Sequence, residues 1–181
     1  MYLNFLRLLV LTVFLCMHAF GKASCEVANN VEKVVVAGGS LTEIMYFLDL
    51  EDKIVGLDIT SSYPEAAKSL PSIGYVRALS TEGVISLAPS LVIGEDDMGP
   101  PNVIKQIKQA EIDIRIFPEK HSTTGIKEKI SCMGEIFSIS KISTKKIENE
   151  LNPIIRQLSL IKEKNLNSTK KILLILSMQG T

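Results

Sequence analysis

Val34-Val35-Val36-Ala37-Gly38-Gly39-Ser40-Leu41-Thr42-Glu43 sets the fold, because a β-branched apolar run ends at two glycines and a helical pattern starts directly after them. The run reads as a strand and Gly38-Gly39 as a tight turn. Ser40 to Glu43 has the Ser-x-x-Glu spacing of a capping box, which opens a helix through about Leu48. The alternation recurs downstream. Ile54-Val55-Gly56-Leu57 is a second strand, Leu91-Val92-Ile93-Gly94 a third, and Ile112 to Phe117 a fourth, each preceded by turn or helix signals. Pro100-Pro101 starts a helix to Ala110, since proline fits the first helical turn, where its missing N–H costs nothing.

Strands alternating with helices imply an α/β fold, a Rossmann-like lobe with a mostly parallel sheet and ligands at the carboxyl ends of its strands. Further on, Thr124 to Phe137 has a helical pattern. After a break at Ser138 to Lys141, a longer helix runs from about Thr144 to Lys164. Its apolar positions Ile147, Leu151, Ile154, Ile155, Leu158 and Ile161 recur at three and four residues, one face of a helix. Pro153 falls inside it and should kink it or mark a boundary. Lys171 to Ser177 then forms one more strand, and only four residues follow. A strand with two apolar faces needs a sheet to join.

The N-terminus sets the compartment. Met1 to Arg7 carries one positive charge, Leu8 to Ala19 is almost wholly apolar, and Gly21-Lys22-Ala23 offers small residues for cleavage, so residues 1–23 read as a secretory signal peptide. The apolar run is about a dozen residues where a membrane span needs roughly 20. A lipoprotein site at Cys25 would want an apolar residue where Lys22 stands. Of 20 basic and 20 acidic side chains only Arg7 and Lys22 lie in that segment, so the remainder carries about −2. It has no basic stripe and no Trp, which argues against a nucleic-acid partner. Cys25 and Cys132 lack metal-like spacing. An exported chain permits a disulfide between them, but the helical pattern around Cys132 favours a buried apolar thiol.

Ser61-Ser62-Tyr63-Pro64-Glu65 and Gly74-Tyr75-Val76-Arg77-Ala78-Leu79-Ser80-Thr81-Glu82 occupy the loop between the second and third strands. A phenol is a poor neutral ligand until a Lewis acid takes the place of its proton, as a ferric centre does. In an extended segment, residues i and i+2 point the same way, which would set the Arg77 guanidinium beside the Tyr75 oxygen. Together with the Gly38-Gly39-Ser40 turn, this segment resembles the periplasmic haem-binding proteins that feed ABC importers, a family whose two lobes are joined by one long helix. The Gly-Tyr-x-Arg-Ala-Leu-Ser segment matches residue for residue. The resemblance implies Tyr75 as the iron ligand, Arg77 as its partner, and Gly39 and Ser40 on the cleft floor near the propionates. It also implies Glu82 as a contact for an arginine of the membrane permease, and a monomer.

The resemblance further divides the chain into a ligand-binding lobe over 24–142, an inter-lobe helix over 143–166 and the start of a second lobe over 167–181, with truncation expected beyond it. Blander readings accompany each residue. Tyr75 could cover the sheet end with Arg77 merely solvated, Glu82 suits the first turn of a helix in any case, and Tyr63 before Pro64 suits a structural corner. His121 reads as a surface histidine with a second haem contact as the sharper alternative, and Glu95-Asp96-Asp97 as a solvated acidic loop. The glycine turn lacks the GxGxxG spacing of a dinucleotide site. No G-x-S-x-G, HExxH or P-loop is present, so no enzyme is expected. The same fold could instead carry a ferric siderophore or cobalamin, or lack activity.

Overall fold

The computed structural model describes residues 25–164. The expected signal segment and the expected strand at Lys171 to Ser177 lie outside the described residues. Strand β1 (Val34–Ala37) is followed by helix α1 (Gly39–Phe47), strand β2 (Ile54–Leu57), a short hairpin of β3 (Gly74–Tyr75) and β4 (Ala78–Leu79), and helix α2 (Thr81–Ile85). Then come β5 (Leu91–Glu95), α3 (Pro101–Gln109), β6 (Asp113–Phe117), α4 (Thr123–Ile136) and α5 (Ser140–Lys146). A π-helical turn (Ile147–Leu151) leads into α6 (Asn152–Lys164). The main sheet has the order β2-β1-β5-β6 and all its pairs are parallel, the α/β class expected from the strand and helix alternation.

All four residues of β1 are fully buried, as a central parallel strand covered on both faces must be. Its alternate side chains enter two different cores. Val34 and Val36 pack with Leu41, Met45, Ile93 and Met133 beneath α1 and α4, whereas Val35 and Ala37 pack with Leu79, Val84, Val92 and Ile107 beneath α2 and α3. Burying a side chain of this size contributes roughly 1.5–3 kcal/mol, so the strand is fixed by packing on both faces.

The chain order turns back between β1 and β5, and the carboxyl ends of those two strands carry the Gly38-Gly39 turn and Glu95. Crevices of that kind are where open α/β sheets take ligands. The second half of the helical face departs from ordinary packing. Ile147 is buried and Leu151 packs partly on the core, but α6 buries nothing, and Ile154, Leu158, Leu160 and Ile161 are exposed. Pro153 is accommodated by the π turn rather than by a break, since widening the helix there relieves the clash of its ring with the carbonyl one turn back.

Cys25 and Cys132 form a disulfide, which corrects the expectation of a buried free thiol. The helical pattern placed Cys132 properly in α4. What it could not reveal is that the amino-terminal segment crosses that helix, with Ala28 N–H donating to Ile136 O at 3.1 Å and Arg115 donating to Glu26 O at 3.2 Å.

Candidate functional site

Gly38 adopts φ 133°, a region open to glycine and strained for other residues. Its N–H donates to Oδ1 of the buried Asp58 at 2.9 Å. Asp58 also accepts from Thr60 N–H (2.9 Å), Thr60 Oγ1 (2.6 Å) and Ser61 Oγ (2.8 Å), and Ser61 in turn receives the Thr42 hydroxyl at 2.8 Å. One carboxylate at the end of β2 therefore holds the turn that starts α1. A Cβ on Gly39 would stand 3.1 Å from Thr60 O, so the close approach of these two loops needs a small residue there.

The capping box expected at Ser40 to Glu43 does not form. The helix starts at Gly39 with Gly38 as its N-cap, and no side chain caps it. Ser40 sits two positions past the N-cap, too far into the helix to cap it, and its hydroxyl donates to Glu95 instead. Glu95 and Glu119 together hold Lys129, whose Nζ lies 2.9 Å from Glu119 Oε2 and 3.2 Å from Ser40 Oγ. The lysine side chain is only 6 % exposed. Burial alone would pull its pKa down, but the hydrogen bonds and charges of Glu119 and Glu95 outweigh that and leave it raised. The same ammonium holds the Glu119 carboxyl below its ordinary value against the opposing pull of burial.

A cavity of about 590 Å³ opens beside this cluster, floored by Gly39, Ser40 and Lys129 and walled by Ile44, Phe47, Ile126, Ile130 and Leu151. His121 stands at its mouth, 88 % exposed, with Nδ1 3.4 Å from Glu119. Tyr75 and Arg77 do not line it, so the expected site residues fall into two groups, Gly39 and Ser40 in one and the tyrosine and arginine in the other.

The second group is carried by the β3–β4 hairpin. Tyr75 pairs with Ala78, and Val76 and Arg77 form the turn between them, so Tyr75 and Arg77 are not same-facing residues of one extended segment as the spacing suggested. The cause lies in the loop after β5. Gly99 N–H donates to Val76 O and Leu79 N–H donates to Gly99 O, both at 2.9 Å, which draws the chain into a hairpin while Val76 and Leu79 bury in the core. Tyr75 stays 40 % exposed. Arg77 Nε donates to Asp97 Oδ2 at 2.8 Å, and its pKa is raised first by that bond, then by the nearby Tyr75 oxygen and by the Asp97 charge.

Asp96 and Asp97 of the acidic trio are exposed, as expected of a solvated loop, but each of the three acids also holds a partner. Glu95 holds Lys129 and Ser40, Asp96 accepts from Glu119 N–H at 3.3 Å, and Asp97 holds Arg77. Glu82 lies exposed in the first turn of α2, behind the N-cap Ser80, whose hydroxyl accepts from Gly83 N–H at 3.1 Å. Tyr63 precedes a cis Pro64 and is 67 % exposed. Among the described residues, no group of three or more His, Cys, Asp or Glu side chains gathers to hold a metal ion, and no helix is long and apolar enough to cross a membrane.

Sequence reasoning missed Lys129, Glu119, Asp97 and Asp58 as site residues. The available signal for the first was a lysine within the apolar stripe of α4, between Ile126, Ile130 and Met133.

A family model described as "Periplasmic binding protein" matches residues 34–177. A periplasmic haem-binding protein of Pseudomonas aeruginosa is 33 % identical with TM-score 0.69, the match covering 76 % of this chain and 49 % of that one. The periplasmic haem-binding protein RhuT of Roseiflexus sp. RS-1, in apo form, is 36 % identical with TM-score 0.61 over 64 % of this chain and 44 % of that one. A vitamin B12-binding protein of Vibrio parahaemolyticus is 29 % identical over 151 residues, 83 % of this chain and 53 % of that protein. The chain spans about half the length of these relatives.

Proposed function

The chain belongs to the periplasmic binding protein family, and from that premise we propose that it binds ferric haem outside the cytoplasm and presents it to the permease of an ABC importer. One observation carries this reading: a half-exposed tyrosine on a short hairpin with an arginine in the adjoining turn. The phenol becomes a strong ligand once iron displaces its proton, and a neighbouring guanidinium stabilises the anion so formed. Tyr75 is the iron ligand in this proposal and Arg77 its partner. Gly39 and Ser40 belong to the cleft floor, although the Ser40 hydroxyl is already committed to Glu95 and Lys129. Glu82, exposed at the start of α2, is the docking residue for a basic side chain of the permease. The lobe over 24–142, the helix over 143–166 and export by the segment over 1–23 form part of the same proposal, as does a monomeric carrier.

Cobalamin is the second reading, supported by the Vibrio relative named for vitamin B12 binding. The two readings differ at the hairpin, because the cobalt of cyanocobalamin already carries both axial ligands and leaves no open position for a phenolate, whereas ferric haem does. The test is a titration of the full chain and of Tyr75→Phe with ferric haem and with cyanocobalamin. A saturable phenolate-type visible spectrum, lost in Tyr75→Phe, is expected. Saturable cobalamin binding that survives Tyr75→Phe, without a haem spectrum, would replace haem by cobalamin.

A further inference from the structure

We propose that Asp97 is a positioning residue for ligand recognition, holding the Arg77 guanidinium by its Nε so that the two terminal amino groups face the ligand beside Tyr75. This deepens the haem reading and rests on it. The structural basis is the way one loop grips one hairpin. Gly99 forms backbone hydrogen bonds to both Val76 and Leu79, which fixes where the turn sits, and Asp97, two residues earlier on the same loop, fixes where the Arg77 side chain points. Arg77 is otherwise a surface residue with its side chain 65 % exposed. A long exposed cation left to itself samples many rotamers, and holding it by Nε removes most of that freedom before a ligand arrives.

The charges at the sheet end make this pairing consequential. Lys129 is shared by two carboxylates, and Lys120 pairs with Glu128. Arg77 differs because its contact with Asp97 uses Nε alone, and no other hydrogen bond of its guanidinium is found among the described residues. A guanidinium anchored in this manner still has four N–H donors in a fork suited to a phenolate or carboxylate. Asp97 also offsets much of the arginine's charge, so its contribution is orientation and not an added attraction for anions.

The test is a double-mutant cycle on the full chain, comparing the parent with Asp97→Ala, Arg77→Ala and the double variant. Ferric haem affinity and the visible band are read for each, beside Tyr75→Phe. Asp97→Ala is expected to weaken haem binding about three- to tenfold in the parent background and less than twofold in Arg77→Ala, with Asp97→Asn intermediate. The Arg77 Nε–H resonance in the ligand-free chain should lose its protection from exchange in Asp97→Ala. Equal losses in both backgrounds, or no loss in either, would overturn the positioning role while leaving the haem reading intact. A parent chain without a Tyr75-dependent band would remove the haem reading and with it this role, even if the Nε–H resonance behaves as expected.

Discussion

Replacing Lys129 by methionine keeps the length of the side chain and removes its charge, which isolates what the buried ammonium contributes. In the parent, Lys129 is 6 % exposed, Glu95 15 % and Glu119 31 %. Removing one member of a fully buried ion pair costs about 3–5 kcal/mol, chiefly by stranding the charge left behind. Water reaches Glu119 and relieves part of that cost, so the loss at neutral pH is about 2–3 kcal/mol. With a urea slope of about 2 kcal/mol/M, the unfolding midpoint falls by about 1–1.5 M.

The pH dependence separates this account from simple loss of packing. Glu119 is held below its ordinary value, so its contribution is present above the unfolded-state pKa of about 4.3 and disappears as pH falls through the lower folded value. Lys129 is held above its ordinary value, so its contribution is present below about pH 10.4 and disappears as pH rises through the folded value. In Lys129→Met two carboxylates face each other with no cation, and uptake of one proton relieves them. The variant therefore gains stability between pH 7 and about pH 5, while the parent stays level there and weakens only below about pH 4.3. Urea unfolding at pH 7 and pH 5 should show the gap narrowing on acidification with an unchanged slope. A variant within 0.5 kcal/mol of the parent at pH 7, or a gap that does not depend on pH, would refute the reasoning.

Two further outcomes follow from the same structure. The Cys25–Cys132 bridge spans a sequence separation of 107, so Cys25→Ser should cost roughly 4–5 kcal/mol in urea unfolding, and a reductant should bring the parent down to the variant. Asp58→Ala strands four donors from Gly38, Thr60 and Ser61. Its thermal midpoint should fall by roughly 10 °C, for a loss of about 3 kcal/mol, with Asp58→Asn recovering part of it.

The strands were legible because each is a short apolar run bounded by turn residues, and β1 in particular has too few polar atoms to be anything but central. Local pattern failed where a distant group competed. Ser40 and Glu43 have capping spacing, yet Glu95, 55 residues away, takes the Ser40 hydroxyl, and the helix begins two residues earlier. The extended geometry expected of Tyr75 and Arg77 did not hold, because the bend between them depends on the backbone of Gly99. The disulfide was unreadable for the same reason. Nothing near Cys25 announces that its segment lies across α4, 107 positions on.

Two of these failures, at Ser40 and at the hairpin, converge on residues 95–99. Glu95 serves Lys129 and Ser40, Asp96 receives Glu119 N–H, Asp97 receives Arg77, and Gly99 bonds the hairpin twice. Three successive acids in a solvated loop would repel one another and gain nothing from adjacency. Here each faces a different donor, and the donors come from α1, α4, the loop after β6 and the hairpin. The loop is held at its root as well, since a Cβ on Gly94 would stand 2.3 Å from Met98 Sδ, so the chain folds back on β5 with no room for a side chain. The cavity with Ser40 and Lys129 and the hairpin with Tyr75 and Arg77 are joined through this one segment. A displacement of it moves both, which makes the loop after β5 the element that sets the spacing between the cavity and the hairpin.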